Sequence, residues 1–433
     1  MNSSKKSLLI LLFITVILNM KQLNAQQATN VAIDSLTKNV ARLNDELVKL
    51  KRLKISAYIL PQWQYIDSAG APSFAGGDFS NGSNKYYSRF ALREGRIKIA
   101  YDYKNTQFVI QPDITEKGVF MRDAFLKITD PWLNTFSLTT GMWQDQFGFE
   151  ITQSSSVRET PERARFVQLL FPAERDLGAF LTIAPPKNSK LYGLKLDAAV
   201  TNGSAGISPE FDSHKDYSGR LSYSKTSKNE RFSFAAGASS YFGGYQTGSV
   251  KDYKFTTLTD GNKGFAYSTD TANYYRVAQR IYFGGDLQIS WDWRVGATTL
   301  RAEYVQGEQP GTDKSSKSIG APPTSSIYHR QFNGAYFYFI QNIGHSKFQL
   351  VAKYDWYDPN TQVSGKDIGK AGTNTKVADI RFDTYGAGIN YKFNANVRLT
   401  VYYDYVLNEA TSISGYQKDI KDNVTTVRMT YKF

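Results

Sequence analysis

Val427, Met429, Tyr431 and Phe433 fall on one parity of the segment "DNVTTVRMTYKF", and Thr426, Arg428, Thr430 and Lys432 fall on the other. Alternate side chains of a strand point to opposite faces, so the pattern predicts a strand with one apolar and one polar, cationic face. Alone, it would suit an edge strand of a soluble sheet. The rest of the chain repeats it. "RIKIAYDY" sets Ile97, Ile99, Tyr101 and Tyr103 against Arg96, Lys98 and Asp102. "KFQLVAKYDW" sets Phe348, Leu350, Ala352, Tyr354 and Trp356 against Lys347, Gln349, Lys353 and Asp355. "VRLTVYYDYVL" sets Val397, Leu399, Val401, Tyr403 and Tyr405 against Arg398, Thr400 and Asp404. Comparable segments lie near 54–66, 106–114, 121–130, 135–143, 178–185, 193–200, 217–225, 231–240, 280–290, 296–306, 332–342, 380–393 and 422–433, which makes about sixteen strands.

Their connections alternate in length. "YKNT", "SKNE", "NIGHSK" and "NANV" are tight, whereas 67–89, 144–176, 244–275, 307–330 and 358–378 are long and polar. A sandwich has no reason to sort its loops by end. A transmembrane barrel does, with short periplasmic turns and long external loops. Closure also explains how so many strands avoid an exposed edge. The fold class expected is all-β, a transmembrane antiparallel β-barrel of about sixteen strands over 53–433. Tyr431 and Phe433 then read as an assembly signal, recognised by the barrel assembly machinery on a strand that closes against the first.

The first fifty residues follow another period. "VAIDSLTKNVARLNDELVKLKRL" places Ile33, Leu36, Val40, Leu43, Leu47 and Leu50 at alternating spacings of three and four, a coiled-coil seam. One amphipathic helix packed on its own domain is the other reading. Before it, Lys5 and Lys6 precede an apolar run from Ser7 to Met20, and Leu23-Asn24-Ala25 offers a cleavage site. Residues 1–25 read as a signal peptide, with 26–52 a periplasmic linker and heptad helix. A signal anchor is the alternative, although the apolar run is shorter than the ~20 residues of a spanning helix.

Composition agrees with a β protein of the membrane. The 433 residues include 29 Tyr, 27 Phe and 6 Trp, and aromatic residues gather at strand ends as they do at bilayer interfaces. Mean hydropathy is −0.42, too low for a helical membrane protein. There is no cysteine, which excludes thiolate metal sites and a cysteine nucleophile. The net charge of +13 becomes +10 without Lys5, Lys6 and Lys21, a balance suited to anionic solutes or an anionic membrane surface. No nucleic-acid motif is present.

"KLKRLKISAYILPQWQY", "REGRIKIAYDY", "MRDAFLKITDPW" and "ERDLGAFL" together resemble the phosphate-selective porin O and P family of Bacteroidota outer membranes. The resemblance runs from Leu47 to Phe433 and is clearest in 47–185. It implies a trimeric sixteen-stranded pore in the outer membrane of a Gram-negative bacterium, surrounded by lipid and lipopolysaccharide. It also implies a third external loop folded inward and basic side chains that conduct phosphate-like anions. The segment 144–176 occupies the place of that loop, with Arg158, Arg163, Arg165 and Arg175 as anion contacts. Asp145, Glu150, Glu159, Glu162, Glu174 and Asp176 share the segment, so it is no plain cationic trap. By parity, Arg96, Lys98 and Lys127 join Lys54, Arg220, Lys347, Lys353, Arg398 and Arg428 on the lumen wall, where Asp102, Asp123, Asp286, Asp355 and Asp404 are available as partners.

Catalysis has little to draw on. His214, His329 and His345 are the only histidines, in segments read as loops or turns, and neither G-x-S-x-G nor H-E-x-x-H occurs. "GKDIGKAGT" departs from a phosphate-binding loop, and "TDGNKG" lacks the carboxylates of a calcium loop. No enzyme, cofactor or metal site is expected. The expectation is a porin for passive diffusion of small hydrophilic solutes, anion-preferring. A structural anchor without significant conductance is the alternative.

Overall fold

Outward strand positions carry the apolar residues and inward positions the polar ones, and the sheet closes on itself. The computed structural model describes residues 3–71, 73–77, 79–206, 208–321 and 323–433. The side chains of 3–7, 9–10 and 23–32 lie outside the described residues, and with them Lys5, Lys6 and the expected cleavage site at 23–25. The chain divides into two units, Met1–Lys54 and Ile55–Phe433.

The first unit is one helix, α1 (Ser3–Arg52), continuous through the stretch where the sequence suggested a linker. Ile33, Leu36, Val40, Leu43, Leu47 and Leu50 are all exposed along it, so the heptad seam is uncovered in the single chain. No helix among the described residues is long and apolar enough to cross a membrane.

The second unit holds sixteen barrel strands. They are β1 (Leu53–Ile66), β2 (Ser88–Tyr103), β3 (Thr106–Thr115), β4 (Gly118–Thr129), β5 (Phe136–Gln144) and β6 (Arg175–Ile183). Next come β7 (Leu194–Thr201), β8 (Asp216–Thr226), β9 (Phe232–Gln246), β10 (Val277–Trp293) and β11 (Gly296–Gly311). The last are β12 (Ile327–Asn342), β13 (Phe348–Asp358), β14 (Phe382–Lys392), β15 (Val397–Asn408) and β16 (Val424–Lys432). Each pairs antiparallel with its sequence neighbour, and β16 pairs with β1 from Tyr58↔Lys432 to Ile66↔Val424. Phe433 continues that seam, its backbone N–H donating to the Ala57 carbonyl at 3.0 Å. Closure matters because hydrocarbon offers no water to an unpaired N–H or C=O.

Parity behaves as the sequence implied. On β13, Phe348, Leu350 and Ala352 are exposed to the outside, while Gln349, Val351, Lys353 and Asp355 are buried within. Aromatic rings ladder across neighbouring outward positions, as in Phe337, Tyr354 and Tyr385. Short connections, 104–105, 227–231, 294–295 and 343–347, fall at one end and the long ones at the other. The turn at 116–117 is the exception, a tight link among the long loops.

Two expectations need correction. The region 244–275 is not all loop: Lys251–Thr257 and Lys263–Thr269 form a hairpin. Its first strand pairs in parallel with the outer end of β12, from Asp252↔Ile327 to Lys254↔His329. His329 therefore lies in a strand, its Nε2 at 2.8 Å from Asp252 and its Nδ1 at 3.2 Å from Glu308. A strand that finishes its pairing above the bilayer has no need of an apolar face, so period-two hydropathy does not mark it.

The wall admits only glycine at several points, Gly141 and Gly307 among them. Gly141 on β5 has φ +122°, and a Cβ there would sit 2.2 Å from the Ala124 carbonyl oxygen on β4. Gly141→Val is expected to cost more than about 1 kcal/mol of stability, read as a lower urea midpoint of the refolded barrel, with a smaller heat-modifiable band on a gel.

Candidate functional site: a charged constriction

Segment 145–174, between β5 and β6, folds into the barrel. One side of it is apolar for packing reasons. Phe147, Ile151, Phe166, Val167, Leu170 and Phe171 are buried, and join Tyr241, Tyr282, Phe332, Tyr336, Tyr338 and Tyr402 on the inner faces of β9–β15. Phe166 stacks on Tyr336 with centroids 6.1 Å apart, and Phe171 meets Tyr241 edge-on at 5.8 Å. Its one full helical stretch, α2 (Arg165–Leu170), carries much of this face.

A buried loop must place its backbone donors, and here wall carboxylates accept them. Glu303 accepts from the N–H groups of Phe149 (3.0 Å) and Glu150 (3.2 Å) and from the Tyr336 hydroxyl (2.8 Å). Asp355 accepts from the Arg165 N–H at 3.0 Å. Glu150, itself in the loop, accepts from the Tyr338 hydroxyl at 2.6 Å and the Ala164 N–H at 2.9 Å. Gly148 is fitted to this anchorage: its φ is +61°, and a Cβ would lie 1.9 Å from the Glu303 carboxylate. The loop is thus fastened along β9–β13.

Its other side is charged and faces β2, β4, β6 and β16. Glu162 receives two bonds from Arg93, at 3.0 and 2.9 Å, and one from Arg428 at 2.8 Å. Glu174 is held by three guanidiniums: Arg175 at 2.7 Å, Arg163 at 3.0 Å and Arg122 at 3.4 Å. Arg175 also reaches Asp123 at 3.1 Å. Arg96 bonds Asp113 at 3.0 Å and Glu94 at 3.1 Å, and Glu94 accepts from Ser155 of the loop at 3.0 Å. Six arginines, 93, 96, 122, 163, 175 and 428, therefore confront five carboxylates, 94, 113, 123, 162 and 174. A cavity of about 430 Å³ opens beside them, lined by Arg93, Glu162, Arg163, Phe171 and Glu174, with Lys317 at its edge.

Burial would raise the Glu174 carboxyl, but Arg163, Arg122 and Arg175 outweigh it and hold the group down at about 2. Burial pushes the Arg163 guanidinium down, and Glu174 opposes that shift. Because Glu174 is depressed in the folded state, its contribution is complete above the ordinary value of 4.5 and disappears as pH falls from there to about 2.

The residues anticipated from sequence divide into groups. Arg96, Arg163 and Arg175 meet in the constriction. Lys98 and Lys127 stand half-buried on the inner wall of β2 and β4, neither with a carboxylate partner among the described residues. Arg158 is buried within the loop, donating to the carbonyls of Thr160 and Pro161. Arg165 lies between the rings of Phe74 and Phe382, at 5.0 and 4.0 Å, and burial lowers its pKa against the opposing pull of Asp422. Tyr431 and Phe433 are exposed on the outer face, rings 6.2 Å apart. Among the wall cations and the aspartates available to them, Arg220 meets Asp286 at 2.6 Å and Lys353 meets Asp355 at 2.9 Å.

Parity alone missed Arg93 and Arg122. Each neighbours a residue that also faces inward, Glu94 and Asp123 respectively. For Arg122 the cause is a register shift between Gln111 and Pro112, which pairs Gln111 with Asp123 and Pro112 with Met121. An irregularity of this kind re-aims a side chain, and Pro112 inside a strand was its visible signal.

No family model matches this chain, and no curated protein sequence does. Solved structures do. OprB from Pseudomonas putida superposes with a TM-score of 0.55 at 7% identity, covering 90% of this chain and 96% of that one. An anion-selective porin from Comamonas acidovorans gives 0.51 at 11% identity, covering 88% and 99%. The chain thus has the fold of the outer-membrane porins, a closed sixteen-stranded transmembrane barrel with an inward loop. At these identities the likeness concerns the fold, and the charges of the lumen are this chain's own.

Neutralising Glu174 leaves three guanidiniums with one fewer partner. A unit charge about 5 Å from a passing ion in water is worth about 0.8 kcal/mol. Glu174→Gln is therefore expected to raise the chloride-to-potassium permeability ratio at least about fourfold, since the change favours chloride and disfavours potassium, read from the zero-current potential in a planar bilayer.

Proposed function

We propose that this protein is an outer-membrane porin that passes small hydrophilic solutes by diffusion and prefers anions, phosphate and similar oxyanions among them. The observation that carries the reading is the charge along the constriction. Its arginines outnumber its carboxylates by one, and Lys98, Lys127 and Lys317 add positive charge without a carboxylate partner among the described residues. Excess cation in a narrow, partly desolvated passage concentrates anions there. Arg suits oxyanions because its planar fork donates two parallel bonds. Glu162 and Glu174 keep these forks oriented and compete with a passing oxyanion, which favours transit over retention.

On this reading residues 1–25 are removed on export, and the exposed heptad face of α1 joins subunits of a homotrimer. The residues at the terminal seam, Tyr431 and Phe433, serve assembly. A second reading, a structural anchor, draws on the bonds that tie the loop to the wall on both sides, ion pairs Arg93–Glu162 and Arg122–Glu174 on one and Glu303 and Asp355 on the other.

The test is the zero-current potential of the purified protein under a KCl gradient, followed by addition of phosphate. Anion selectivity with phosphate block is expected. Lys98→Glu with Lys127→Glu is expected to shift the potential toward cation preference by at least the fourfold ratio that one such charge supplies, about 0.8 kcal/mol each. Weak or cationic selectivity in the unaltered protein would remove the anion reading, and absence of discrete conductance would favour the anchor.

A further inference from the structure

At the outer end of the barrel a cavity of about 440 Å³ lies between the hairpin of Lys251–Thr257 and Lys263–Thr269 and the ends of β10, β11 and β12. Strand parity puts it on the lipid side of the wall. Arg280 and Tyr282 of β10, Gln309 of β11 and Arg330 of β12 are buried inward, so Gln279, Glu308, His329 and Gln331 project outward.

Its height follows from register. Leu287, Ala302 and Phe337 form an outward apolar row across β10–β12. Nearer the outer end, Phe283, Gln306 and Asn333 share a row, and Ile281, Glu308 and Gln331 share the next. The Trp356 indole N–H donates to Asn333 at 3.0 Å, as an aromatic at a membrane interface does. The cavity therefore opens where hydrocarbon gives way to headgroups. Lower on the same wall an apolar groove of about 620 Å³ runs over Leu287, Ile289, Leu300, Ala302, Phe337 and Phe339.

The lining of the upper cavity is cationic and rich in amides. Lys254 and Arg276 are exposed at its rim. Lys254 has no carboxylate partner among the described residues, and Arg276 reaches Asp252 only at 4.0 Å. His329 sets its ring nitrogens 2.8 Å from Asp252 and 3.2 Å from Glu308, so both nitrogens carry protons and one cation occupies both carboxylates. Arg330 borders the cavity too, but Asp379 holds its guanidinium at 2.8 Å. Gln279, Gln331 and Gln362 contribute side-chain amides that make no hydrogen bond among the described residues.

We infer that this cavity seats the phosphorylated sugar headgroup of an outer-leaflet glycolipid, with an acyl chain in the groove below. Phosphate would take charge-assisted bonds from Lys254 and Arg276, while the amides exchange bonds with sugar hydroxyls. A solute inside the lumen does not meet these outward side chains. A glycerol phospholipid offers the phosphate without the sugar, and a free oxyanion has nothing to lay in the groove. The inference goes beyond the porin reading and rests on the outer-membrane location of the barrel, independently of conduction.

The experiment is native mass spectrometry of the purified full-length protein in detergent with added lipid A, phosphatidylglycerol or a neutral galactolipid. Lipid A is expected to bind at a roughly tenfold lower concentration than phosphatidylglycerol, and the galactolipid more weakly than either. Lys254→Gln with Arg276→Gln is expected to weaken lipid A at least tenfold, since each cation at such a surface contributes about fivefold. Gln279→Ala with Gln331→Ala is expected to narrow the preference over phosphatidylglycerol to about twofold. No retention of lipid A by the unaltered protein, equal retention by the cation variant, or equal affinity for the two anionic lipids overturns the site. Lys347→Gln with Lys392→Gln, at the other end of the barrel, is the control: an equal loss there assigns the binding to overall charge and overturns the site as well. Should the double cation variant fail to give a heat-modifiable barrel, Lys254→Gln alone decides: binding weakened about fivefold supports the site and unchanged binding overturns it.

Discussion

Backbone hydrogen bonding in hydrocarbon is the constraint on which this structure depends. An unpaired N–H or C=O at the bilayer core costs several kcal/mol, so a chain that crosses by strands must close them into a ring. The seam between β16 and β1 discharges that requirement, and the remaining antiparallel pairs follow the order of the chain. Once the ring is closed, each strand has an outside in lipid and an inside in water or protein. The alternation of Leu350 with Lys353, or of Val401 with Thr400, is the local consequence. Closure also creates the interior that holds the constriction.

The inward loop obeys the same rule by different means. It has no ladder to join, so its N–H groups are taken by carboxylates of the wall, Glu303 and Asp355. Its phenylalanines drive it against β9–β15, while its charged residues are left facing the opposite wall. Burying such charges is costly unless they are paired, and removing one partner is worse than lacking both. That logic accounts for the dense linkage of Arg93, Arg428 and Glu162, and of Arg122, Arg163, Arg175 and Glu174. A network of this type positions a loop more than it stabilises a fold. Within it, arginines exceed carboxylates by one.

The legibility of the strands and of the site differed for a physical reason. Strand existence depends on a period-two pattern read over ten residues, and all sixteen segments stand where that pattern lay. Their outer ends were misjudged, as for β2 at 88–95 and β12 at 327–331, because a strand above the bilayer loses its apolar face. Arg96 followed from parity, and Arg175 from the resemblance of its segment to an inward porin loop. Arg93 and Arg122 did not; for Arg122 a register shift opposite Gln111 and Pro112 inverts parity at a single residue. Arg165 lay in the correct loop, yet its place between Phe74 and Phe382 depends on loops far apart in the chain.

By itself the sequence determined the barrel, its strand count and the alternation of faces, because these depend on periodicity and on the sorting of loop lengths; the inward turn of 144–176 followed only from the resemblance to a porin family. The tertiary structure decided which cations are neutralised. Pairing depends on the few ångströms between Glu174 and three arginines from β4, β6 and the loop, and leaves Lys98 and Lys127 without a carboxylate partner among the described residues. Coulomb energies fall with distance and with hydration, neither of which is written in residue order.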